Sequence, residues 1–304
     1  MSASYVSALP AAREAAAAQH YPQGALYVVA TPIGNLADIT LRALHVLALV
    51  DVVACEDTRQ TQTLLRAYGI DKAAGQWMAV HQHNEAVAAQ AVIGRLQQGQ
   101  RVAYASDAGT PAVSDPGARL VAAVRAAGFR VLPLPGASSI TTALSVAGCV
   151  APGGQDSGFV FAGFLPTKAR ERDTAVLALQ SESRTVLLLE APHRIEALAR
   201  ALAPLDGRTV TVGRELSKQF EEIASMPASE VADWLAADPQ RTRGEFVLVL
   251  HPVVIGSHGD DGMRVLGLLL RELPLKGAVK LAAEITGASR NELYEAALKL
   301  KPPG

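Results

Sequence analysis

The feature that most constrains this chain is an alternation. Between residues 25 and 147, short runs rich in β-branched and apolar residues (25–30, 52–55, 102–105 and 131–134) take turns with longer stretches of helical periodicity (36–50, 61–68, 84–96, 118–127 and 138–146). Gly69, Gly99 and Gly128 stand where three of these helices would stop. Strand, helix, strand in this order is a run of βαβ units, and it predicts an α/β fold. Aromatic residues are only 5% of the chain while Ala, Val and Leu dominate, which suits helices packed on strands buried on both faces.

The alternation is interrupted once. Pro152, Gly153, Gly154 and Gly158 break the composition over residues 150–158, and a second series follows, with strands over 159–164, 185–189, 209–212 and 246–250. Helices are predicted over 168–180, 194–202 and 228–236, so a second α/β lobe is implied. A polar, Gly-rich linker at 255–262 leads to a tail with signals for three short helices, the last opening on the capping-box pattern Ser289-Arg290-Asn291-Glu292. From Met263 onward seven Lys/Arg face four Glu, so the tail is basic. The organisation expected is a flexible N-terminal tail (1–24), a first lobe (25–152), a second lobe (153–255), and a linker with a three-helix tail (256–304).

Composition excludes several classes. With 304 residues, 49% of them apolar, the chain can bury a large core. A net charge of −1 gives no long-range pull on polyanions, so any contact with RNA has to be local. Cys55 and Cys149 lie far apart without metal-ligand spacing, which fits a reducing cytoplasm. The most apolar stretch, 41–55, is broken by Arg42, His45 and Asp51, and residues 1–24 lack the order of a secretory signal. The expectation is a cytoplasmic protein with no membrane contact.

Three loops stand at predicted strand ends, where open α/β sheets place their ligands. Thr31-Pro32-Ile33-Gly34-Asn35 is no dinucleotide fingerprint, since no G-x-G-x-x-G follows and Pro32 removes an amide donor; alone it reads equally as a tight βα turn. Ser106-Asp107-Ala108-Gly109-Thr110-Pro111 offers a carboxylate for a ligand amine or ribose and a glycine that lets a flat ring approach, or else a simple Asx-turn. Pro135-Gly136-Ala137-Ser138-Ser139 turns small residues and helix N-terminal amides to the same crevice. No P-loop lysine is present, so a neutral or cationic cofactor fits better than a triphosphate.

Other clusters carry two readings each. Glu56-Asp57-Thr58-Arg59 is a capped helix start or a grip on RNA. His81-x-His83-x-Glu85 could present three ligands on one side of an extended segment, but no further cluster supports a metal, and a loop reaching substrate or a strand-to-helix turn is the better reading. Lys168-Ala169-Arg170-Glu171-Arg172 is a solvated helix start or an anion site.

As a set, these loops resemble the tetrapyrrole-methylase superfamily, and within it the branch that modifies small-subunit ribosomal RNA. The segments Cys55-Glu56-Asp57-Thr58-Arg59, His83-Asn84-Glu85, Gly163-Phe164-Leu165-Pro166, Glu190-Ala191-Pro192-His193-Arg194, Gly213-Arg214-Glu215-Leu216 and Gly244-Glu245-Phe246-Val247-Leu248 join the resemblance, which spans residues 26–299. It implies a homodimer that binds S-adenosylmethionine in a cleft between two α/β lobes and methylates the ribose 2′-oxygen of a decoding-centre cytidine in 16S rRNA, without a metal. Carried over onto matching positions, Ile33, Asp107, Thr110, Ser138 and Ser139 contact the cofactor, and backbone around Leu189 and Phe246 closes the pocket. Thr31-Pro32-Ile33 replaces the glycine-rich turn usual in the ring-methylating enzymes and counts against a porphyrin substrate.

A ribose hydroxyl is a poor acid, so a general base is expected: Glu56, His83 and His193 first, with Glu85 and Glu190 also in reach of the motifs. Arg59, Asn84, Lys168, Arg194, Lys276 and Lys280 are the expected RNA contacts. Two other readings stand beside this one: a tetrapyrrole C-methyltransferase, and a non-catalytic RNA-binding assembly factor. The basic tail favours the first reading, and the three cofactor loops together weigh against the last.

Overall fold

The computed structural model describes residues 5–81, 84–151, 158–253 and 258–300. The boundaries expected at 152/153 and 255/256 fall outside the described residues.

The first lobe runs α1 (Ala8–Ala16), β1 (Ala25–Val29), α2 (Leu41–Leu49), β2 (Val52–Cys55), α3 (Thr58–Ala67), β3 (Trp77–Ala79), α4 (Glu85–Gln97), β4 (Val102–Ala105), α5 (Gly117–Ala126), β5 (Arg130–Leu134) and α6 (Ser139–Ala147). Its five strands are all parallel, in the order β3-β2-β4-β1-β5. β2 and β4 are buried at every position, because α2 and α3 cover one face of the sheet and α4 and α5 the other. The chain leaves β1 over β4 towards β2, and leaves β4 over β1 towards β5, so the two crossovers run in opposite directions. That is a topological switch point, and it opens a crevice at the carboxyl ends of β1 and β4.

The loose tail expected over 1–24 does not run loose from Tyr5 onward. Ala12 and Ala16 carry no bulk beyond Cβ, which lets α1 lie close against α2, while Tyr21 packs on His45 with ring centroids 5.0 Å apart. The strand β3 escaped the sequence reading because three residues are too few for a period.

The second lobe comprises β6 (Phe159–Gly163), α7 (Ala169–Leu179), β7 (Thr185–Glu190), α8 (Ile195–Leu202), β8 (Thr209–Arg214), β9 (Glu222–Pro227), α9 (Val231–Ala236) and β10 (Phe246–Leu250). Its sheet is mixed. The order is β6-β7-β10-β8-β9, with only β6 and β7 parallel. Helices α7, α8 and α9 pack on one face. On the other face lies α6 from the first lobe: Ile140, Ala143 and Ala147 pack with Leu187, Leu216, Val247 and Val249 in one buried cluster. This shared core joins the lobes and brings the strand-end loops of the first against the second.

The tail forms α10 (His258–Leu269), α11 (Leu275–Thr286) and α12 (Arg290–Leu300) around a small core of its own, including Leu266, Val279, Ala282 and Leu293. Both cysteines are free, and burial pushes the Cys55 thiol up to about 11, so it is no nucleophile near neutral pH. Among the described residues no helix is long and apolar enough to cross a membrane.

Candidate active site

The crevice at the switch point is built from backbone. Thr31 and Gly109 exchange N–H···O bonds of 2.9 and 3.1 Å, and the Thr31 hydroxyl donates to the Ser106 carbonyl at 3.2 Å, so the loops after β1 and β4 are stapled together. Gly109 has φ +81°, a conformation that strains other residues, and a Cβ there would press on Ile33 Cγ2 at 3.3 Å. Thr110 donates from Oγ1 to the Ala137 carbonyl at 3.0 Å, which ties the second loop to the third. Ser138 caps α6 by position but makes no side-chain cap bond.

The second lobe closes the crevice with charge. Lys218 bridges Glu215 and Glu245 at 2.7 and 3.0 Å, and its methylenes lie where a Cβ on Gly34 would stand. Glu190, at the end of β7, pairs with Arg194 at 2.9 Å, and Arg194 in turn donates to the Leu165 carbonyl. Glu190 Oε2 is buried with no hydrogen-bond partner. A buried carboxylate oxygen left unsatisfied is costly, and it marks a place where a ligand donor would be welcome.

Between these loops lies a cavity of about 400 Å³, a size common to small-molecule sites. Among the described residues that line it, Glu56, Asp115, Glu190 and Glu245 are acidic and Lys218 basic. Burial raises the Glu56 carboxyl above the ordinary range; the Asp107 N–H opposes this, and the Asp107 and Asp115 carboxylates add to it. The excess of carboxylates suits a ligand carrying positive charge.

The structure brings most of the sequence-derived residues together. Ile33, Thr110, Ser138, Ser139, Leu189, Phe246 and Glu56 all line the cavity. Asp107 does not: it sits at the edge, where its Oδ1 accepts the Asp57 N–H at 3.1 Å, and the packing of the loop raises its carboxyl. His193 is exposed, and His83 lies outside the described residues.

The expected RNA contacts fare differently. Arg59 is almost fully exposed and 3.6 Å from Asp57, while Lys168 is paired with Glu171 at 2.9 Å. Lys276 and Lys280 are exposed on α11, Lys280 lying 3.9 Å from Glu284. Asn84 is spent locally, accepting from His81 N and donating to the Ala79 carbonyl. Arg194 is turned inward onto Glu190, so its guanidinium is a strut of the cavity wall and not a surface cation. Sequence reasoning did not single out Lys218, Val113 or Asp115; the Gly213–Leu216 and Gly244–Leu248 motifs lay beside the first, but only folding brings the three to one cavity.

Comparison with known proteins agrees with this architecture. A family model described as Tetrapyrrole (Corrin/Porphyrin) Methylases matches residues 25–232, and one described as RsmI C-terminal HTH domain matches 257–301. The chain is 48% identical to a Ribosomal RNA small subunit methyltransferase I of Pseudomonas aeruginosa, covering 91% of this chain and 97% of that protein. It is 45% identical to the protein of the same name from Escherichia coli O157:H7, over 91% and 96% of the two chains. A cobalt precorrin-4 methyltransferase of cobalamin biosynthesis superposes with a TM-score of 0.55 at 16% identity, over 76% of this chain and 98% of that one, which shows the shared fold. The chain belongs to the tetrapyrrole methylase family and, within it, to the ribosomal RNA small subunit methyltransferase I group.

Proposed function

We propose that this chain, as a homodimer, transfers a methyl group from S-adenosylmethionine to the 2′-oxygen of a cytidine ribose in the decoding centre of 16S rRNA. The observation that carries the reading is the cavity between the lobes: about 400 Å³, rich in carboxylates, with a buried unpartnered oxygen on Glu190 and a partly desolvated Glu56 in its wall. A sulfonium cofactor with an ammonium group fits that charge, and the relatives at 45–48% identity are named as methyltransferases of small-subunit ribosomal RNA.

S-adenosylmethionine, when bound, supplies an electrophilic methyl carbon. The chain's own residues do the rest. Ile33, Thr110, Ser138 and Ser139 hold the cofactor from the first lobe, Leu189 and Phe246 from the second, and Asp107 guards the edge. Glu56 takes the proton of the ribose hydroxyl; burial raises its carboxyl above the ordinary range, which makes it a stronger base than an ordinary carboxylate. Holding the hydroxyl on line with the methyl carbon removes much of the entropic barrier. The tail, whose α11 presents Lys276 and Lys280, docks on the ribosomal particle through phosphate.

The test is transfer of labelled methyl to small ribosomal subunits lacking their native modifications, with a porphyrinogen in parallel. Label that blocks alkaline cleavage at one cytidine is the expected result. Label in the porphyrinogen, or on a base, would overturn the reading.

A further inference from the structure

Two exposed apolar side chains stand at the mouth of the cavity, one from each lobe, and both are aimed by unusual backbone. In the second lobe the pairing of β6 with β7 slips between Phe161 and Gly163, and Gly163 takes φ +66°. Bulges of this kind re-aim the residue that follows. That residue is Phe164, which lines the cavity yet is 52% exposed. In the first lobe Val113, 41% exposed, also lines the cavity and sits between Ala112 and Ser114, whose φ angles are +68° and +69°. Non-glycine residues rarely adopt such angles, and here Asp115 holds the turn by accepting the Ala112 and Gly117 N–H groups at 2.8 and 2.7 Å. The two devices meet: a Cβ on Gly163 would stand 3.8 Å from Ser114 Oγ.

We propose that Phe164 and Val113 form a slot for the base of the nucleotide being methylated, with the base stacked on the Phe164 ring. The inference rests on the reading of the chain as a ribose methyltransferase. If a 2′-hydroxyl is to reach a cavity of this size, its nucleotide has to leave the stack of neighbouring bases. The base, joined to the same ribose, then lies within one residue's reach of the cavity mouth and has lost both its stacking partners. An exposed aromatic ring replaces one of them, and stacking of this kind is the usual way proteins hold splayed RNA bases. A flat base fits a slot with one aromatic and one aliphatic jaw. The slot holds the base and so positions the ribose; it is not part of the chemistry.

The experiment measures kcat/KM on small subunits lacking native modifications, together with cofactor affinity by calorimetry and sedimentation, for the wild type and for Phe164→Ala, Phe164→Leu and Phe164→Tyr. Loss of one base–aromatic stack predicts a fall of about 5- to 150-fold for Phe164→Ala. Phe164→Tyr keeps the wild-type value and Phe164→Leu, apolar but without a π face, falls near Ala, with cofactor affinity unchanged throughout. Full activity of Phe164→Ala, or rescue by Leu, overturns the slot. So does a parallel loss of cofactor affinity, which would assign Phe164 to the cofactor, or dissociation of a dimer, which would assign it to a second copy. A wild type that transfers no methyl to subunits overturns the methyltransferase reading itself, and the slot falls with it, whatever the variants do.

Discussion

The two lobes contribute to one cavity in different ways. The first lobe, with its all-parallel sheet, supplies loops held by bonds in which backbone takes part: the Thr31–Gly109 bridge, the tie from the Thr110 hydroxyl to the Ala137 carbonyl, and the Ala112 and Gly117 N–H groups on the Asp115 carboxylate. The second lobe, with its mixed sheet, supplies loops fixed by side-chain ion pairs: Glu190 with Arg194, and Lys218 between Glu215 and Glu245. Parallel strands all end on one side, so their loops converge without further help. Antiparallel neighbours end on opposite sides, so the loops that do reach the cavity need their own anchors, and Glu215 and Ser217 are held at φ +51° and +66° in one of them.

If this contrast is correct, the chemistry belongs to the first lobe and the second lobe's pairs serve its shape. The sharpest check is Glu56→Gln, which should cut kcat by about 100- to 10,000-fold while cofactor affinity in calorimetry holds. The sign of the pH dependence follows from the raised Glu56 pKa. The base is lost as pH falls through that value, so kcat/KM drops on the acid side earlier than for an ordinary carboxylate, and the acid limb disappears in the variant. An unchanged limb would remove Glu56 from the reaction.

Glu190→Ala attacks the second lobe. It leaves Arg194 with a largely buried, unpaired charge, and breaking such a pair costs about 3 kcal/mol. Urea unfolding should show that loss, and cofactor affinity should fall with it; normal stability would mean that the pair does not hold the wall. Asp107→Ala returns to the first lobe at its edge. Losing a charged acceptor there should weaken cofactor binding by about tenfold in calorimetry and leave the unfolding midpoint nearly unchanged, because Asp107 is exposed. Outside both lobes, the Lys276→Ala/Lys280→Ala double variant should flatten the salt dependence of subunit binding by a slope of about 2 and leave cofactor affinity intact. A steeper loss confined to one RNA sequence would mean base readout and not phosphate docking.

Much of the first lobe was legible because its signals are local. Strand runs, helix-stopping glycines and the three strand-end loops each show within about ten residues, and the residues that the family resemblance placed on those loops line the cavity, Asp107 excepted. The second lobe was less so. β9 alternates half-buried and exposed positions, but it turns Glu222 inward and leaves Ile223 exposed, against their polarity, and its partner β8 lies across a loop whose turn carries no glycine. Arg194 looked like a surface cation beside His193, yet its partner is four residues upstream and turned inward, a direction that no spacing rule supplies for a strand-to-helix turn.

What the sequence determined by itself is the α/β class, the strand–helix alternation apart from α1, β3 and β9, and the loops that gather at one end of the first sheet, since periodicity and turn chemistry act between near neighbours. Only the tertiary structure decided that α6 leaves its own lobe to pack on the second sheet, that Glu190 keeps one buried oxygen without a partner, and that Val113 and Phe164 meet at the same opening. Those outcomes depend on surfaces from separate stretches of the chain finding each other and on side chains turning inward, and burial acts between surfaces that sequence distance does not describe.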